Sequence, residues 1–392
     1  MPELGAVAGD EGGASRGTLV TDTVASPGLA ANVVGASSRR PVVVYLPPSY
    51  QADSTRRYPV LYMLHGATSV PEEWLDGTYQ GLDLSAVLDS LIAAGALPEL
   101  IVVMPNSDIA VGSQWYANSP VLGNWEDFIV RDVVGYVDRR YRTVARREGR
   151  ALFGHSMGGF GALAIGFKHP DRFGLVYASS PARMAFVGDI APGAPGWAAL
   201  SRLARWQDAP YQLRLTVGMA AAFDGSRTDP RLFSELPFGP GAGGAAGGSA
   251  SGSASGSASG SASGSASVAA SGAASGAASG SASGSASGSA SRSPAAQAKV
   301  RQRWLAAMPA ALAGRMARRR ERQPEILMEA GSQEAPILEA IGLLRATLDS
   351  LAIRYADSTF EGGHVDRVRE RITRHMLPDV GRWLGAHTPA TH

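Results

Sequence analysis

Residues 150–169 read RALFGHSMGGFGALAIGFKH, a Gly-x-Ser-x-Gly pentapeptide entered from an apolar run and leaving into a small-residue helical stretch. The context constrains the fold more than any other segment does. Arg150 to Phe153 reads as a short buried strand and Met157 to His169 as a buried helix, joined by a turn too sharp for side chains two residues before and after the serine. Gly154 and Gly158 meet that demand. A turn of this kind strains the backbone and lifts Ser156 Oγ clear of a sheet, which is the geometry of a nucleophile elbow. In a chain with 48 glycines the bare pattern carries little, so the reading rests on the strand and helix that flank it.

A tract from Gly241 to Ser293 is almost entirely Gly, Ser and Ala. It lacks the apolar area to offset ordering entropy, so it is expected to be a disordered linker with a root-mean-square span of about 40 Å. Setting it aside leaves enough of the 392 residues for one large α/β domain. The expected organisation is a flexible N-terminus at 1–17, a core built from 18–181 and 324–386, and a cap or insertion region at 182–323 that contains the tract.

Eight strands are predicted, at about Thr18 to Val24, Val42 to Leu46, Val60 to Leu64, Leu100 to Met104, Arg150 to Phe153, Leu175 to Ser179, Glu325 to Glu329 and Ala352 to Ser358. Helical patterns alternate with them after the third: Leu82 to Gly95, Trp125 to Tyr141 with Asn124 as its N-cap, the helix after Ser156, Ala335 to Leu351, and Val365 to Leu384. Strands alternating with helices imply a mostly parallel sheet covered on both faces, with the first few strands antiparallel. No strand is evident from Pro181 to Gln323, which makes that segment the candidate cap over the catalytic edge.

With no cysteine, disulfides, thiolate metal sites and a cysteine nucleophile are excluded. No apolar run approaches the roughly twenty residues of a membrane span. The first thirty residues hold no apolar signal region, so a cytoplasmic location is the expectation. A net charge of +2 gives no reason to expect a nucleic-acid partner. The segment Lys299 to Arg322 is nevertheless strongly basic, with Trp304, Leu305, Met308, Leu312 and Met316 at helical spacing and Pro309 interrupting. It reads as a pair of surface helices packed by an apolar stripe, with a membrane-surface or anionic-substrate role as the alternative.

A serine hydroxyl needs a base within hydrogen-bond reach, and the base needs a carboxylate to orient it. Behind an elbow these partners follow in the order nucleophile, acid, base, each on a loop after a strand. His65 lies upstream, His155 inside the elbow, His169 at the end of the following helix, and His387 and His392 in the tail. His364, in the loop Phe360-Glu361-Gly362-Gly363-His364, is the expected base, and His375 is expected on a helix surface. Glu334, the first carboxylate beyond the seventh strand, is the expected acid, with Glu329 and Asp357 as alternatives. The oxyanion donors are expected to be the amides of Met157 and of Ala67, the latter after the turn Leu64-His65-Gly66. The loop after the fourth strand offers Trp115, Tyr116 and Asn118 as candidate substrate-binding residues.

Five stretches, Val44 to Tyr50, Tyr58 to Gly66, Asp138 to Arg142, Gly154 to Gly161 and Gly362 to His364, resemble the serine-esterase family that includes S-formylglutathione hydrolase (esterase D), enterochelin and feruloyl esterases and the mycolyltransferases. The resemblance implies an α/β-hydrolase fold, Ser156 and His364 at the family's nucleophile and base positions, and Ala67 and Met157 at its oxyanion positions. The family pattern usually has Asp where Glu334 stands, and the Gly/Ser/Ala tract is foreign to it. The implied activity is hydrolysis of a small-molecule carboxylic ester through an acyl-enzyme, with no metal or cofactor. Acyl transfer to a sugar or alcohol and a non-catalytic binding protein on the same fold are the alternatives. Oligomeric state stays open.

Overall fold

A computed structural model describes residues 16–229, 231–239, 293–319 and 322–388. The Gly/Ser/Ala tract, apart from Ser293, and residues 1–15 of the expected N-terminal segment lie outside the described residues. Eight strands form one sheet: β1 (Thr18–Ala25), β2 (Arg39–Leu46), β3 (Val60–Leu64), β4 (Ile101–Pro105), β5 (Arg150–His155), β6 (Leu175–Ser179), β7 (Glu325–Gly331) and β8 (Ala356–Phe360). Their spatial order is β1-β2-β4-β3-β5-β6-β7-β8. β2 is antiparallel to both β1 and β4, and every other pairing is parallel.

The central strands β3 to β6 are buried along their whole length because both sheet faces are covered, and their middles are apolar. Val60, Tyr62 and Leu64 of β3 point into one core with Leu152 of β5, Val176 of β6 and the helix Met157–Lys168. Leu61 and Met63 point into the other, with Phe153, Tyr177, the helix Leu84–Ala93 and the C-terminal helix Leu377–His387. Two helices contain π-helical turns: Phe128–Val133 lies between Trp125–Asp127 and Val134–Arg140, and Ile372–Met376 precedes the C-terminal helix.

Three local expectations are corrected. The last strand starts at Ala356 rather than Ala352, because Ala352 takes φ +53° in the turn after the helix Ala335–Ser350. Asn124 makes no side-chain cap bond; the Asp127 amide donates instead to Asn118 Oδ1 at 3.1 Å. Leu305 is 48% exposed and leaves the apolar stripe, whereas Trp304, Met308, Leu312 and Met316 are buried.

Between β6 and β7 the described residues contribute helices and no strand of the main sheet: Pro195–Arg202, Tyr211–Asp224, Pro294–Ala307 and Pro309–Arg318. Pro309 opens the last of these, where its missing N–H costs nothing. Trp304 packs against Phe186, Trp197 and Phe223, and Phe223 stacks on Phe160 of the helix that follows Ser156. Among the described residues no helix is long and apolar enough to cross a membrane.

Candidate active site

Parallel pairing sets the C-terminal ends of β3, β5, β6, β7 and β8 along one edge, with Leu64 opposite Gly154, His155 opposite Ser179, Ser179 opposite Glu329 and Gly331 opposite Phe360. Loops leaving those ends converge, as ligand-binding loops do in open α/β sheets. Ser156 sits there at φ +59° and ψ −120°, a conformation that a side-chain-bearing residue holds only when its surroundings enforce it. The surroundings are tight. A Cβ on Gly154 would overlap the Gly158 carbonyl, and one on Gly158 would overlap the Leu64 carbonyl. Both glycines are therefore demanded by the turn.

His364 Nε2 lies 2.8 Å from Ser156 Oγ, and His364 Nδ1 lies 2.6 Å from Glu334 Oε1. Glu334 Oε2 accepts from Ser180 Oγ and from the Gly331 amide, both at 2.6 Å. Burial alone would raise the Glu334 carboxyl. Hydrogen bonds from His364, Ser180 and Gly331 outweigh burial and hold it below the usual glutamate value, so it stays ionised beside the imidazole. The Glu334 side chain is 4% exposed and that of His364 is 40% exposed, so the acid is enclosed while the imidazole opens to solvent.

The other candidate acids are committed elsewhere. Glu329 accepts from Tyr177, Ser179 and Arg371 in a buried cluster, and Asp357 pairs with Arg345 on the exposed edge strand. His65 is buried, with Nδ1–H donating to the Gly66 carbonyl and Nε2 accepting from the Ser107 amide, each at 2.8 Å. Burial pushes its pKa down to about 4, so it acts as a neutral strut. His169 bonds Glu126, His387 stacks on Trp383, and His375 lies in a π-helical turn.

Neither the Ala67 amide nor the Met157 amide donates a hydrogen bond among the described residues. Met157 is the first residue of its helix, so its free N–H points out of a positive helix end next to Ser156. A Cβ built on Gly66 would lie 3.9 Å from Ser156 Oγ, which brings the Gly66-Ala67 turn against the serine.

Trp115 and Tyr116 are each 1% exposed and belong to the core, so they do not line an open pocket. The Trp115 ring packs edge-on to Phe160, and Tyr116 crosses Gly161 to donate its hydroxyl to the His65 carbonyl at 2.9 Å. Asn118 is exposed, accepts the Asp127 amide, and borders a cleft of about 620 Å³ with Lys168, His169 and Arg315, at the far end of the helix from Ser156. The clamp on Glu334 from Ser180 and Gly331 was not anticipated. Its signal lay in the position of Ser180, one residue past the strand that pairs with β5.

The Esterase family model matches residues 35–228, a span that includes Ser156 and ends well before Glu334 and His364. Esterase Rv1288 of Mycobacterium tuberculosis is 37% identical over 136 residues, 34% of this chain and 27% of the relative. S-formylglutathione hydrolase of Arabidopsis thaliana is 29% identical over 147 residues, 35% of this chain and 50% of that one. A solved ferulic acid esterase superposes with a TM-score of 0.56 at 18% identity, over 94% of this chain and 99% of that chain. The S-formylglutathione hydrolase of Staphylococcus aureus gives 0.52 at 14%, over 94% and 100%. These structural likenesses establish the shared fold. The chain spans about a quarter of the length of the mycobacterial relative.

Proposed function

The chain belongs to the esterase family of the α/β-hydrolase fold, and from that membership we propose that it is a serine carboxylic-ester hydrolase acting through an acyl-enzyme on Ser156. The observation that carries this reading is the relay Ser156 Oγ, His364, Glu334 at 2.8 and 2.6 Å. His364 Nε2 takes the hydroxyl proton as Oγ attacks the ester carbonyl carbon. Electrons move onto the carbonyl oxygen, and that oxyanion meets the free amides of Ala67 and Met157, where one such donor contributes about 3 to 4 kcal/mol to the transition state. As the tetrahedral species collapses, the alcohol leaves with the proton from His364. Water then gives a proton to His364 and attacks the acyl carbon, and Ser156 Oγ departs with that proton as the acid is released.

Glu334 holds the proton of His364 on Nδ1 and stabilises the imidazolium, and its own clamp fixes the carboxylate's direction. Glutamate, one methylene longer than the usual aspartate, is accommodated because it bends back onto the Gly331 amide at the end of its own strand. Purified protein is expected to turn over p-nitrophenyl acetate, and Ser156→Ala to lose that activity with an unchanged melting temperature. Equal turnover in the two proteins would end the proposal.

A further inference from the structure

His155, the residue between Gly154 and the serine, takes no part in the chemistry above. It is 3% exposed, and its Nε2 lies 2.9 Å from the carbonyl oxygen of His364. A carbonyl only accepts, so Nε2 carries the proton and donates. Among the described residues this is the one hydrogen bond made to the backbone of His364, whose amide and carbonyl meet no other partner. The neighbouring residues of the loop are fixed separately, Gly362 by the Gln333 amide and Val365 by Gln80.

We infer that His155 is a positioning residue, which locks the backbone of the proposed base to the elbow so that imidazole and serine hydroxyl move as one body. The inference rests on the reading of His364 as base. Its side chain already makes two bonds, yet those fix the ring only as well as the backbone beneath it is fixed. The loop benefits from such a tie because Gly362 stands at φ +139° and Gly363 follows, so two residues without side chains lead into the base. The tie runs to His155, the last residue of β5 and the one before the nucleophile, so the backbone of the base is coupled to the elbow that carries Ser156.

Two features keep the donor available. The ring of His155 lies edge-on to Tyr79 at 6.1 Å and against the His364 ring at 5.0 Å, which holds its plane. Burial, and then the nearby His364, push its pKa down to about 4, so one proton remains on the ring at neutral pH and Nδ1 is left buried without a partner. An unpartnered buried acceptor is costly, and that cost accompanies the donor that Nε2 supplies to the His364 carbonyl.

The test uses the full chain with His155→Phe, which keeps a flat ring and loses the donor, and His155→Gln, whose amide N–H reaches the place of Nε2. With p-nitrophenyl acetate, kcat of the Phe variant is expected to fall about tenfold or more, a change of about 1.4 kcal/mol per factor of ten, with KM within about twofold of wild type. The Gln variant is expected to recover most of that loss even where both variants melt at the same lower temperature. Phosphonylation of Ser156 by a fluorophosphonate, a single covalent step, should follow the same order. Wild-type kcat in the Phe variant, or Gln no better than Phe, overturns the inference and leaves the base reading standing. No turnover by the wild-type protein overturns both.

Discussion

At Glu334 and Glu329 two buried glutamates on one strand and its loop have different partners, and the difference separates chemistry from stability. Glu334 faces His364, Ser180 and Gly331, whereas Glu329 neutralises Arg371. Glu334→Gln is expected to reduce kcat by on the order of 10²- to 10⁴-fold, since the amide offers the imidazole the wrong partner, with a small change in melting temperature. Glu329→Gln is expected to do the reverse. It leaves the half-buried Arg371 without a counter-charge, a loss of about 2 to 3 kcal/mol measured by urea unfolding, while Ser156 keeps its reactivity. The sequence pointed to Ser156 through two glycines and to His364 through chain order, because both signals are local. It left three acids open, since which carboxylate reaches an imidazole depends on side-chain direction across a sheet. The bond from the His155 ring to the His364 carbonyl joins residues 209 apart in the chain and leaves no pattern in either neighbourhood.

Among the elements, the buried central strands were legible from their apolar runs. β3 to β6 are buried on both faces and their ends fall within a residue or two of the predicted ones. β8 was misplaced by four residues at its start because it is an edge strand whose first four residues are exposed, so no apolar run marks it. The π-helical turns leave no periodicity that a 3.6-residue pattern distinguishes. The basic helices behave as a packed stripe: Arg303 pairs with Asp224 while Trp304 fills the apolar contact beneath, and Arg322, in the segment before β7, pairs with Glu148. Trp304→Ala is expected to destabilise the protein by about 3 to 5 kcal/mol, seen as a lower urea midpoint; a midpoint within error of wild type would show that the helix Pro294–Ala307 does not depend on that contact.

Over the whole molecule, His65 and His155 titrate together in their effect on stability. Burial is the leading cause in each, and both pKa values are pushed down to about 4 from the usual histidine range. The unfolded chain therefore binds more protons than the folded one as pH falls through about 6.5 toward 4, so stability drops with falling pH by roughly 1.4 kcal/mol per unit for each ring. Glu334, held below its usual value, extends the loss to lower pH, because its contribution is present above the unfolded glutamate value and disappears as pH falls through the folded one. Melting temperature measured from pH 7 to pH 4 should fall steadily, and His155→Gln should flatten the slope by about half. A slope unchanged by that substitution would remove His155 from the acid sensitivity.

Reaction of wild type and His364→Ala with a fluorescent fluorophosphonate, followed by peptide mapping, reports directly on whether the imidazole activates the elbow serine. Label on Ser156, with the variant slower by a factor on the order of 10³ or more, is the expected result. Equal rates in the two proteins, or label on another residue, would contradict it.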